Sequence, residues 1–399
     1  MFGLCVILYS LSFNEIMDYI IDTNAEHERG KEIAKCGDFH EIRRLLEKEG
    51  ILEKNVNIFK NHYQNFFREK EMELPENIWE TIAILGLYDG ETLEHSIRTF
   101  SIAKDIATKK LIGPHGEELV LLKYIEEAGV SLYNLCVAAL GHDIGKTKLP
   151  SEIIHNCLTD AEMENLLIGM IRCGKPIPEM VKKTGFTEDE LREKSDEEII
   201  AILYQKGIRA VNIVPIHEAF PNANHSGLIS ILKARGFSGD ETIMAVTRIH
   251  ESEGEKIFNE LGEPVIADLV GHHHNYKKHA EHEVQFIMNI PLLKDDGYVP
   301  FFGVYNVIKI ADSMDSLQSK RPYKEGMSKV AALAELAHQA LTNRLEKCIT
   351  YIYIHTEYEE IKQLIESAGS HIHDEKSVEI IERFLSQTKA EFATSSSSL

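Results

Sequence analysis

Apolar side chains recur at helical spacing along most of this chain, and strand-like alternation is scarce. Residues 14 to about 80 are polar-rich. Their apolar positions (Ile16, Tyr19 and Ile20, then Ile42, Leu45 and Leu46) fall on helical faces, and Gly37, Gly50 and Pro75 punctuate them. The helical pattern continues from about residue 81 to the C-terminus, with residues 349–354 as the main strand candidate. Between about 165 and 240 the pattern changes. Charge runs at Glu188, Asp189 and Glu190 and at Asp196, Glu197 and Glu198 read as solvated surface, and loop-like segments surround Pro176 and Pro221. The expected fold is all-α. A helical region at 1–80 would serve regulation or dimerisation. A larger helical unit at 81–388 would enclose an insertion at about 165–240, and the serine-rich tail at 389–399 would be disordered.

Composition narrows the function classes. Hydrophobic residues make up 43% and charged residues 27%, a balance that supports a folded core rather than a disordered chain. The net charge of −21 argues against binding a nucleic-acid polymer or a membrane surface through bulk charge. It leaves a small anion possible where metal cations invert the local field. None of the six cysteines forms a CxxC pair, which points to reduced thiols and a cytoplasmic setting. The apolar run from Phe2 to Phe13 has no basic leader and is too short to span a bilayer, so no membrane role is expected. A short buried helix, or initiation at Met17, would each account for it.

Nineteen histidines matter only if they are arranged. The strongest local signal is Gly141-His142-Asp143-Ile144-Gly145-Lys146, which follows the apolar run 135–140. A buried helix ending there delivers imidazole and carboxylate side by side, a pairing that suits iron, manganese or zinc better than calcium. Glu91 and His95 are four apart, on one face of a helix. His250 follows an apolar stretch, His272, His273 and His274 form a triplet, and Asp312 lies on an apolar helix, where Asp315 reads as an outer partner or a helix-face acid. By contrast His62, His115, His155, His217, His225, His338 and His355 read as structural or exposed. His371 and His373 with Asp374 read as a solvated helix start.

This ordered set resembles the HD superfamily of metal-dependent phosphohydrolases, and within it the HD-GYP phosphodiesterases. The likeness rests on residues 89–98, on His142 to Ile154, on His250-Glu251-Ser252-Glu253-Gly254, and on Asp312 to Leu317 followed by Arg321-Pro322-Tyr323-Lys324. It covers roughly residues 84–386 apart from the insertions. It implies an HD-domain helical bundle with metal ligands Glu91, His95, His142, Asp143, His250, His272, His273 and Asp312. A register one residue later, His273 and His274, stays open. Glu91 implies three metals rather than two, most naturally iron or manganese. Asp143 and Lys146 would be catalytic, and Lys146, Arg321 and Lys324 would hold phosphate oxygens.

The implied activity is hydrolysis of a cyclic dinucleotide, cyclic di-GMP foremost, by a metal-bridging hydroxide. The implied partners are that substrate and a second copy docked through the N-terminal helices. Two features depart from the family. The insertion separates His142 from His250, and no Gly-Tyr-Pro follows the paired histidines. The nearest echo, Gly297-Tyr298-Val299-Pro300, is displaced and split, although Tyr298 could still stack a base. Hydrolysis of another nucleotide or phosphomonoester is therefore a second expectation, and a non-catalytic receptor or scaffold a third.

Overall fold

The computed structural model describes residues 25–35, 38–113, 116–154, 160–206, 208–220, 225–274, 286–288, 290, 303–319, 326–342, 344–367 and 374–395. The all-α expectation holds. Among these residues the only sheet is a two-stranded antiparallel pair, β1 (Leu111–Ile112) with β2 (Glu118–Leu119). No described helix is long and apolar enough to cross a membrane. The run from Phe2 to Phe13 and Met17 lie outside the described residues.

Helices α1 (Ala25–Ala34), α2 (Phe39–Lys48), α3 (Leu52–Glu69) and α4 (Glu76–Tyr88) lead into the long α5 (Gly90–Thr108). Local chemistry sets several of their starts. The Asp38 carboxylate accepts from the Glu41 N–H and Asp89 accepts from the Thr92 N–H, each at 3.1 Å, satisfying amides that a helix start leaves open. Ile42 and Leu46 are fully buried, as their spacing predicts. In α4 nearly every residue from Ile78 to Tyr88 is buried, so this helix runs through the interior.

The leading helices do not form a separate unit with its own core. One apolar core runs continuously from Ile33 to Phe384. Phe67 of α3 packs edge-on against Trp79 of α4 at 5.5 Å and against Phe100 of α5 at 5.2 Å. Both phenylalanines are 1% exposed or less. Each such ring contributes about 1.5–3 kcal/mol by burial, so the boundary expected near residue 80 is crossed by strong packing.

After α6 (Leu121–Glu127) and α7 (Leu132–Gly141), a 3-10 turn (Ile144–Lys148) carries the chain away from the bundle. A second apolar core follows, whose buried members among the described residues run from Leu149 to Val246. It includes α8 (Asp160–Arg172) and α9 (Asp196–Gln205), so the insertion is a folded lobe that begins earlier than expected. Its acidic runs are exposed apart from the half-buried Glu188, and they also act locally. Glu190 and Glu198 complete capping boxes with Thr187 and Ser195.

The chain returns through α10 (Ile249–Glu260), α11 (Pro264–His272), α12 (Tyr305–Gln318), α13 (Lys329–Leu341), α14 (Lys347–Ser367) and α15 (Glu375–Ser395). In the interior α5 packs against α7 and α12, while α10 packs against α11 and the 3-10 turn. Two expectations need correction. Residues 349–354 lie inside α14 rather than in a strand, because the Glu346 carboxylate caps the Cys348 and Ile349 N–H groups at 2.9 and 2.7 Å and starts a helix there. The C-terminal helix continues to Ser395, past the expected tail start at 389, and Lys347 pairs with Glu391 at 3.1 Å.

Candidate metal centre

Helix ends and one turn bring the histidines together. His142 directly follows α7 and His273 directly follows α11, where the last carbonyls have no helical partner. Each ring uses one. The His142 Nδ1–H donates to the Ala139 carbonyl at 2.8 Å, and His273 donates to the Val270 carbonyl at 2.5 Å. His250 does the same with the Thr247 carbonyl at 2.5 Å, at the close of the short preceding helix. A proton held on Nδ1 leaves Nε2 as a free lone pair, the form that binds a cation.

These nitrogens meet two carboxylates. His95 Nε2, from the middle of α5, is 3.0 Å from Asp312 Oδ1 and 3.8 Å from Asp143 Oδ2. His142 Nε2 lies 3.4 Å from Asp143 Oδ2 and 3.9 Å from Asp312 Oδ1. On the other side, His250 Nε2 is 3.5 Å from Asp143 Oδ1 and 3.2 Å from His273 Nε2. His274 Nδ1 is 3.8 Å from Asp312 Oδ2. The cluster therefore has two lobes, His95 with His142 and His250 with His273 and His274. Asp143 and Asp312 each turn one oxygen to either lobe.

All but His274 are buried, and His274 is largely covered. Three sets of three donors, His250/His273/His274, His95/His142/Asp312 and His142/Asp143/His273, each have their atoms within 4.8 Å of one another. Two donors held about 2.1 Å from one ion at right angles would lie about 3 Å apart, the spacing of the closest pairs. His142 Nε2 has no hydrogen-bond partner despite its burial, a cost that a cation would remove. The donors fit a metal.

The protonation states agree. Burial keeps His250 and His274 neutral, pushing them down to about 4 and about 3, and holds His273 well below the usual histidine range. Burial opposes charge on Asp143 and Asp312 too. Lys146 and His142 around the first, and His95 bonded to the second, outweigh it and keep both carboxylates ionised. Lys146 Nζ sits 2.6 Å from Asp143 Oδ2 with its side chain partly open to solvent.

Two expected ligands lie elsewhere. His272 is still inside α11, and its ring bonds the Asp268 carbonyl at 2.7 Å beside Tyr305. The pair that reaches the cluster is His273 and His274, the register one residue later. Glu91 sits exposed in the first turn of α5 and joins none of the three donor sets. Tyr298, Arg321 and Lys324 lie outside the described residues, as do His115, His155, His371 and His373. His62, His217, His338 and His355 are outside the cluster, as expected.

The 3-10 turn bearing Lys146 is held from several directions. Its close approach to α10 requires Gly145, since a Cβ there would stand 2.0 Å from the His250 carbonyl oxygen. Lys148 pairs with Asp38 of the α2 cap at 3.0 Å. Arg235 of the inserted lobe donates to the Lys148 carbonyl at 2.9 Å, and the Tyr88 hydroxyl of α4 donates to the Leu149 carbonyl.

Fold and site together define an all-helical protein with a buried histidine–aspartate cluster suited to metal. No protein-family model, curated protein or solved structure matches the chain.

Proposed function

We propose that this chain is a metal-dependent phosphodiesterase of the HD-GYP kind, acting on a cyclic dinucleotide such as cyclic di-GMP. The observation that supports it is the buried convergence of His95, His142, Asp143, His250, His273, His274 and Asp312 with the ammonium of Lys146 at its edge. His95 and His142 would hold one divalent ion and His250, His273 and His274 another, with Asp143 and Asp312 offering an oxygen to each lobe. Imidazole and carboxylate donors without a thiolate favour iron or manganese. Such ions supply Lewis acidity and a water acidic enough to be activated near neutral pH.

The chain's own groups do the rest. Five imidazoles and two carboxylates fix the donors before substrate arrives, and their surroundings exclude bulk water. In this reading Lys146, whose ammonium sits at the edge of the cluster, meets a phosphoryl oxygen and offsets charge that grows there during attack. Arg321 and Lys324 extend that grip in this reading, and Tyr298 stacks a base.

Iron- or manganese-loaded protein incubated with cyclic di-GMP should yield the linear dinucleotide or GMP, and Asp143→Asn should abolish the product. Absence of product from loaded wild type would overturn the substrate assignment. The split Gly297-Tyr298-Val299-Pro300 segment favours one other reading, an HD-type phosphohydrolase of another nucleotide or phosphomonoester. Turnover of a nucleotide panel or of bis-p-nitrophenyl phosphate without cyclic di-GMP cleavage would select it.

A further inference from the structure

His95 differs from its neighbours in the cluster. The Nδ1 atoms of His142, His250 and His273 bond carbonyls three residues back in their own chain segments. His95 instead turns Nδ1 to the Oδ2 of Asp315, 2.7 Å away on α12. Asp315 is only 4% exposed, and several donors converge on it. Arg98 Nε reaches its Oδ1 at 2.6 Å, Arg98 Nη2 reaches Oδ2 at 3.2 Å, and the Ser319 hydroxyl donates to Oδ2 at 3.0 Å. Arg98 Nη2 also donates to Ser319 Oγ at 3.1 Å, closing the loop.

The two acids of α12 thus hold one imidazole from both sides. Asp312, one turn earlier, faces Nε2 at 3.0 Å, and Asp315 takes Nδ1. A carboxylate behind a ligand histidine fixes its tautomer and ring plane and makes the opposite nitrogen a stronger donor. Two buried carboxylates a turn apart would repel, and the bidentate Arg98 offsets the charge of the rear one.

We propose that Asp315, held by Arg98 and Ser319, is the positioning residue of the His95 lobe and sets the affinity of the ion bound by His95, His142 and Asp312. This rests on the metal-centre reading above. Asp315 touches no substrate in this account and acts only through His95. In the other lobe His250 and His273 have their own main-chain supports, so that lobe is expected not to depend on Asp315.

The test is metal binding, read by chelator competition and by the visible absorption of Co(II) as a probe. Wild type should take up two ions. Asp315→Ala should weaken one of them by about 10- to 100-fold, leave the other at wild-type affinity, and change the absorption of the weakened ion alone. Asp315→Asn, which keeps an acceptor oxygen without the charge, should fall between. Arg98→Met lies on a part-exposed side chain and covers the case in which the alanine variant fails to fold. It should weaken the same ion. Wild-type affinities and spectra in Asp315→Asn and Arg98→Met would overturn the inference while leaving the metal centre standing. Wild type that binds no ion at all would overturn the metal-centre reading and this inference with it.

Discussion

At the residue scale, one position in a histidine triplet separates a member of the donor cluster from a neighbour outside it. His272 closes α11 and His273 follows it, so their side chains leave the axis about 100° apart, one turn being about 3.6 residues. Ala substitution at His273 should lower metal affinity more than the tenfold to hundredfold typical of outer partners, while His272→Ala should stay near wild type. Metal content of the two purified variants checks this. A second prediction concerns protons. Burial disfavours a charged His95, yet its hydrogen bonds to Asp312 and Asp315 and the charge of Asp143 raise it to about 9 without metal. Its proton is then present at pH 7 and must leave when an ion binds. Apparent affinity should rise with pH up to about 9, with uptake at pH 7.5 releasing a proton that calorimetry in buffers of different ionisation enthalpy detects.

At the element scale, the approach of the 3-10 turn to α10 is the tightest constraint on the site. Gly145→Ala pushes a methyl group against the His250 backbone, which belongs to a helix and cannot step aside. The substitution should cost about 1–3 kcal/mol or more in denaturant unfolding, and metal content should fall, because Asp143 and His250 lie on the two surfaces forced apart. The same scale explains what was legible beforehand. His142 and Asp143 were readable as a dipeptide at a helix end, and His95, His250 and Asp312 joined them through the family resemblance of the ordered motifs. The histidine register was not, since a sequence does not mark the residue at which α11 stops. Glu91 shares a face with His95 by spacing, but in the first turn of α5 its side chain is exposed, apart from the cluster, while Thr92 and Leu93 beside it are buried. Residues 349–354 looked like a strand because a helix buried on several sides loses its period and β-branched residues then dominate the pattern.

At the scale of the whole molecule, two cores share one chain. The all-helical class was plain from periodicity. The size of the second core was not, because its buried residues are scattered through charged loops and short helices. Separate cores imply separate cooperativity. Leu167→Ala, at a fully buried position of the inserted lobe, should destabilise that lobe by about 2–5 kcal/mol. Amide exchange should quicken within residues 149–246 and stay slow in α5 and α12, with metal content unchanged. Uniform loss of protection would show one cooperative unit instead.

The tethers on the 3-10 turn give this layout a thermodynamic consequence. Lys148 and Leu149 receive contacts from the α2 cap, from α4 and from the inserted lobe, only a few residues beyond Asp143 and Lys146. A displacement of either flank must drag the turn or break its anchor. The coupling is reciprocal: an event at Asp38 or Arg235 that loosens the turn weakens ion binding by the same free energy with which a bound ion resists that event. Under the proposed metal binding the turn would be a shared state variable, and occupancy of the centre would be read as the tightness of the part-buried Lys148–Asp38 pair.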